Sequence, residues 1–290
     1  EATARLAIAA SDTILDLPDG APYDWESLMQ VFGSGDSDPG ISEVEVMEQL
    51  VLSLDHSGSI RASIASAREN ARVTRDLIPK DAWIALNELH GLIERQSFAG
   101  FDRSSRIRLL KQVISSCRLW HGCLVASQAR DLSWLFLRLG DRLEHADMVS
   151  RLVDPRVTQM VPGASTRWSS YEAIGWQNLL TALGGVELYR HSARNRMHGS
   201  DVLDFVLRDT NFPQSMAAAL HSFRRYLNKL PHQRVSTDLL DGTIDGLTKL
   251  DLERLTPDLL TQNMDWIQQG LVTLHGHISA EYFFFQSNSP

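Results

Sequence analysis

The stretch ARENARVTRD, residues 67–76, decides the fold class. At about 100° per residue, Arg68, Glu69, Arg72, Arg75 and Asp76 share an arc of roughly 120°, and Ile60, Ile64, Ala67, Ala71 and Ile78 fall opposite. That is the period of an amphipathic helix. Its polar face uses Arg with no Lys, and a planar guanidinium suits two-point contact with a carboxylate or phosphate. The simplest role for such a face is a ladder of surface ion pairs, each contributing about a few tenths of a kcal/mol.

Residues 131–154, DLSWLFLRLGDRLEHADMVSRLVD, give that face a counterpart. Glu144, Asp147 and Arg151 lie at i, i+3 and i+7 and share one side. Leu137, Met148 and Leu152 flank them on one edge, Phe136 and Leu143 on the other, and Leu135, Leu139 and Val149 line the back. A helix apolar nearly all round is expected to be buried, and a buried charge needs a partner. The expectation is that Glu144 and Asp147 meet Arg68, Arg72 and Arg75 inside one helical bundle. Such a network is either structural or a polar ligand site.

Outward from these two segments the chain reads as helices separated by breakers. A short helix is expected over 24–32, then a Gly/Ser/Asp/Pro loop over 33–40. Ser42 with Glu45 three residues on is a capping box opening a helix to about Leu54. The Arg-rich helix spans 58–78. Asp81 is expected to cap Ala82 to Arg95, with Trp83, Leu86, Leu89 and Ile93 as its core face. Helices follow over 104–126 and up to Asp154, then a loop around Pro155 and Pro162-Gly163. Further helices are expected over 171–189, 201–207, 213–229, 236–249 and 257–284. No run alternates Val, Ile or Thr over strand length, so the class is all-α, a multi-helix bundle. Sub-bundles are expected over about 1–154 and 168–290. The opening EATARLAIAA is already helical, with no cap and no initiator Met, and reads as a truncated first helix.

Composition narrows function. Hydrophobic residues at 43% and charged residues at 22% suit a globular protein, and 290 residues can bury a large core. A net charge of −8 argues against general nucleic-acid binding. No apolar run approaches a membrane span, and no basic stretch precedes an apolar one at the start. Cys117 and Cys123 form no metal motif and read as reduced thiols in a cytoplasmic protein. His275 and His277 point to different sides of a helix, so no metal or other cofactor is expected. There is no HExxH, P-loop or dinucleotide fingerprint. The Trp residues fall mostly at core spacing, whereas Phe283-Phe284-Phe285 cannot all bury on one face and offer a partner contact.

One internal echo is visible. Glu1-Ala2-Thr3-Ala4-Arg5-Leu6 lines up with Asp147-Met148-Val149-Ser150-Arg151-Leu152, matching the acid, the Arg four residues on and the next Leu. It would imply a pseudo-symmetric bundle.

The chain resembles the alpha-E domain family of bacterial all-helical proteins. The resemblance is carried by ARENARVTRDLIPKDAWIALNEL (67–89), FLRLGDRLEHADMVSRLVD (136–154), Trp176-Gln177-Asn178-Leu179-Leu180 with Glu187, Tyr189 and Arg190, and the terminal Glu281-Tyr282-Phe283. The opening EATARL is similar to the tail of the family's N-terminal glutamate motif. The family usually has Asn-Pro ahead of the first block, where this chain reads Asp55-His56-Ser57-Gly58-Ser59, and His145 is also a departure.

The resemblance implies a context more than a reaction. Such domains are encoded beside, or fused to, circularly permuted ATP-grasp proteins, often with transglutaminase-like peptidases. The expected function is an accessory or substrate-binding module of an ATP-grasp amide ligase that makes or modifies a peptide, the ligase being a partner in cis or in trans. Arg68, Arg72, Arg75, Asp147 and Arg151 would bind an anionic peptide or amino acid. The alternative is a stand-alone enzyme with Glu144 or Glu69 as general acid/base beside an Arg-lined anion site. The accessory role is favoured because no nucleophile or metal set accompanies these carboxylates.

Overall fold

The computed structural model describes residues 1–16, 25, 28–29, 41–97, 102–154, 172–192, 197–231 and 234–283. Among these residues there are twelve α-helices, one short 3-10 turn and no strand, so the fold is all-α. Of the expected 24–32 helix only Trp25, Leu28 and Met29 are described, and all three are helical and buried. The loops over 33–40 and 155–163, Trp168, Phe284 and Phe285 lie outside the described residues.

Two compact units make up the chain. The first takes Glu1–Ala129 and Gln159–Leu183, the second Arg130–Thr158 and Gly184–Pro290. The division is not a single cut between 154 and 168. The chain instead passes from one unit to the other three times.

In the first unit, α1 (Ala2–Asp16) packs along α7 (Glu172–Leu183) and also touches α2 (Glu43–Leu52) and α5 (Arg103–Ser127). Ala4, Ala7, Leu179 and Leu180 are buried, and small Ala side chains on α1 leave room for a close approach. Helix α3 (Ile60–Val73) packs on α2 and on α4 (Lys80–Glu94), and α4 packs on α5. Ser42 caps α2 with the expected box, its hydroxyl accepting from the Glu45 N–H while the Glu45 carboxylate accepts from the Ser42 N–H. The Arg-rich helix is shorter than 58–78. Ser59 caps it, it ends at Val73, and Arg75–Leu77 form a 3-10 turn. Asp81 is not the cap of α4. That place belongs to Pro79, and Asp81 sits in the first turn, where a carboxylate faces the positive end of the helix dipole.

In the second unit, α6 (Leu132–Val153) packs on α10 (Met216–Leu227) and α12 (Pro257–Tyr282). Helix α11 (Arg234–Lys249) packs on α12 and α10, and α9 (Gly199–Arg208) bridges α10, α11 and α6. Short α8 (Val186–His191) delivers Tyr189, which meets Phe205 edge to face at 5.3 Å, and Phe205 stacks on Phe212 at 4.6 Å.

The single helix expected over 171–189 is broken at Gly184 and Gly185. Gly184 has φ 67, the left-handed region that a residue with a Cβ avoids. A Cβ on Gly185 would lie 2.7 Å from Phe212 Cζ.

Candidate functional site

The Arg-rich helix and the turn after it gather several cations of the first unit, some of them paired and some not. Arg68 on α3 and Arg75 on the following turn both lie over the Trp83 indole, with guanidinium carbons 5.8 and 5.6 Å from the ring centroid. Asn87, one turn along α4 from Trp83, orients the group. Its amide nitrogen donates to the Trp83 carbonyl at 2.7 Å, and its Oδ1 accepts from Arg68 Nε at 2.8 Å. Arg75 is tied by Nη1 to the Ile78 carbonyl at 2.9 Å.

Neither Arg68 nor Arg75 has a carboxylate partner among the described residues. A guanidinium carries five N–H donors, so both keep donors to spare. Two cations against one indole, half-buried and unneutralised, form a site that an anion can complete.

The rest of this face is neutralised. Arg72 donates to both carboxylate oxygens of Glu69, at 2.8 and 2.6 Å, and both side chains are exposed. The Arg72 hydrogen bonds hold the Glu69 carboxyl below its ordinary range, with the charges of Arg72 and Arg68 adding to the effect. A carboxylate so depressed is a weak base and is ionised at neutral pH, so Glu69 is a poor general acid/base. Arg61, two turns N-terminal to Arg68, clamps Glu94 of α4 through two bonds of 2.8 Å.

The counterpart on α6 is not what a buried helix would give. Glu144 is exposed, with no hydrogen bond or ion pair among the described residues. Asp147 is half-buried and pairs with Arg151 of its own helix, Arg151 Nε donating to Oδ2 at 2.8 Å. The argument that Glu144 and Asp147 need Arg68, Arg72 and Arg75 as counter-charges therefore fails. Glu144 faces solvent, and Asp147 is paired within its own helix.

Those two sets of residues also belong to different units. His145 instead meets the Gln214 carbonyl through Nε2 at 2.9 Å, where the ring must donate.

The more enclosed charges of α6 are others. Arg138 and Arg142, with side chains 13% and 15% exposed, share the single carboxylate of Asp141 at 2.8 Å each. Arg138 also lies over Trp134 and Tyr226, and Arg130 sits 3.9 Å from the Trp134 centroid. Each unit thus holds one Trp flanked by two Arg.

The internal echo holds at the level of local geometry. Arg5 donates to Glu1 at 2.7 and 3.0 Å, as Arg151 does to Asp147 four residues back. Among the expected site residues, the structure brings Arg68 and Arg75 together and pairs Arg72 with Glu69. Asn87 and Arg138–Asp141–Arg142 escaped the sequence reading, and the spacing of Asp141 from two Arg at i−3 and i+1 was the available signal.

Of the terminal aromatics, Tyr282 and Phe283 meet Phe136 of α6 edge to face at 5.3 and 5.0 Å, and Phe283 remains exposed. Among the described residues no group of three metal-ligating side chains converges, and no helix is long and apolar enough to cross a membrane.

A family model for a predicted alpha-helical domain with a conserved ER motif matches residues 1–283. An uncharacterized protein of Mycobacterium bovis and one of Mycobacterium tuberculosis are each 21% identical over 186 residues. The matched segment is 63% of this chain but only 20% of either relative, so the chain spans about a fifth of their length. No solved structure matches significantly.

Proposed function

The chain belongs to the Alpha-E family, and from that premise we propose that it is a substrate-holding accessory module of an ATP-grasp amide-ligase system. The first unit holds the carboxylate of a peptide or amino acid between Arg68 and Arg75, over Trp83. The ligase, in cis or in trans, carries out the ATP-dependent chemistry, with a transglutaminase-like peptidase as a further member of the system. The module works in the cytoplasm, where ATP is available.

One observation carries this reading: two guanidiniums share the Trp83 ring and neither has a carboxylate partner among the described residues. The length of the mycobacterial relatives supports it too, since the segment similar to this chain is a fifth of a larger polypeptide with room for other domains. The stand-alone enzyme is the weaker reading. Glu69 is committed to Arg72, and Glu144 stands exposed with no side-chain hydrogen bond or ion pair among the described residues to aim it.

The test is a reconstituted ligase assay with a purified ATP-grasp protein encoded beside an alpha-E gene. Peptide-bond formation is followed by mass spectrometry, with and without this chain. Product should rise when the chain is added, and Arg68→Ala with Arg75→Ala should remove the gain while ATP binding by the ligase is kept. Turnover of a substrate by the chain alone, at enzyme-like rates, would make Glu144 the residue to pursue.

A further inference from the structure

The first unit also contains an open cleft of about 810 Å³ between α1, α4 and α5. Its lining is Asp12 from α1, Leu92 from α4, and a stripe of α5. Ser104, Arg108, Lys111, Gln112 and Ser115 recur at i, i+4, i+7, i+8 and i+11, the spacing of a single helix face, and Arg103, Ile107 and Ser116 border them.

The charges do not balance. Arg103 is used structurally, its Nη2 donating to the Ser11 carbonyl at 2.7 Å and to Asp12 at 3.0 Å. That consumes the one carboxylate among the described lining residues. Arg108 donates to the Ser105 hydroxyl at 3.1 Å and its charge acts on the nearby Asp102 carboxylate without forming an ion pair, and Lys111 has no side-chain hydrogen bond or ion pair among the described residues. Two cations of a concavity with no ion pair among the described residues leave positive potential there, in a chain whose net charge is −8.

Nearly every polar group there can donate. Arg103, Arg108, Lys111 and Gln112 offer N–H groups and Ser104, Ser115 and Ser116 offer hydroxyls. A planar carboxylate has two oxygens to meet these donors. A terminal phosphate has three, spread over a tetrahedron, and a higher charge near neutral pH. Leu92 and Ile107 supply the apolar surface for an organic remainder, and the volume is that of a small-molecule site.

We infer that this cleft binds a phosphate-bearing small molecule, with Arg108 and Lys111 holding the phosphate and the Ser hydroxyls of α5 completing its contacts. The site is independent of the Arg68/Arg75 reading and stands or falls separately.

The experiment titrates the full chain at low salt with pyrophosphate, AMP and succinate by calorimetry, in parallel with Arg108→Ala/Lys111→Ala and Arg68→Ala/Arg75→Ala double variants. Arg108 and Lys111 are exposed, so their loss leaves the core untouched, and circular dichroism checks the fold. Pyrophosphate and AMP should saturate the wild type, and the Arg108/Lys111 variant should bind them at least about tenfold more weakly. The Arg68/Arg75 variant should bind them as the wild type does. Absence of saturable binding, unchanged affinity in the Arg108/Lys111 variant, or succinate binding as tight as pyrophosphate overturns the inference.

Discussion

Arg68 and Asn87 are joined by one hydrogen bond of 2.8 Å that decides where a charge points. The Asn87 amide is fixed from behind by the Trp83 carbonyl, so its Oδ1 can hold Arg68 Nε and leave the far end of the guanidinium over the indole. Asn87→Ala removes the anchor and keeps the charge. It should weaken binding of a short acidic peptide by about fivefold and cost about 1 kcal/mol of stability. Calorimetry and urea unfolding measure the two effects. An unchanged peptide affinity would remove Asn87 from the site.

Asp141 carries more of the second unit than Glu144 does. Asp141→Asn leaves Arg138 and Arg142, both mostly buried, without a carboxylate, and should destabilise the protein by about 1–3 kcal/mol. Glu144→Ala, at an exposed position of α6, should stay within about 0.5 kcal/mol of wild type. Chemical denaturation of the two variants side by side gives the comparison, and equal losses would contradict it.

Acid should weaken the α3–α4 contact. The hydrogen bonds from Arg61 hold the Glu94 carboxyl below its ordinary range in the folded state. A carboxylate with a lowered folded pKa stabilises fully above its unfolded value, about 4.3, and loses that contribution as pH falls through the folded value. Glu94 is partly exposed and solvent screens the pair, so the effect is small. Arg61→Ala and Glu94→Gln should each flatten the stability profile below about pH 4.5 and leave its shape near pH 7 intact. Thermal melts across pH 3–7 read it out, and a slope equal to wild type in both variants would sink the assignment.

Two glycines of α11 should respond oppositely to Ala. Nothing lies within 4 Å of a Cβ built on Gly242, so Gly242→Ala should stabilise the helix by up to about 1 kcal/mol. A Cβ on Gly246 would overlap the Trp266 ring, so Gly246→Ala must displace the indole. It should lower the melting temperature and shift Trp fluorescence, and an unchanged emission spectrum would contradict the contact.

The all-α class, most helix positions and the Ser42–Glu45 box were legible because they depend on neighbours three or four residues away. The surface pair Arg72–Glu69 was legible too, whereas Asp147, expected to meet Arg68, Arg72 and Arg75, pairs with Arg151 of its own helix. Trp83 was not legible. Its spacing matched the core face of α4, yet it lies half-buried beneath two guanidiniums, because burial depends on how α3 lies across α4. Glu144 was misjudged for the same reason. An apolar surround in a helical projection does not say which arc another helix covers.

By itself, the sequence determined what is local: the helical period, the caps, and the acid/Arg pairs spaced by one turn. Only the tertiary structure decided which charges go unneutralised. A cation with no acid one turn away needs a second chain segment at hydrogen-bond distance, and that distance is set by packing between helices far apart in sequence. Thus Arg61 acquires Glu94, Arg103 acquires Asp12 and Arg106 acquires Glu43, while Arg68, Arg75, Arg108 and Lys111 acquire no carboxylate among the described residues.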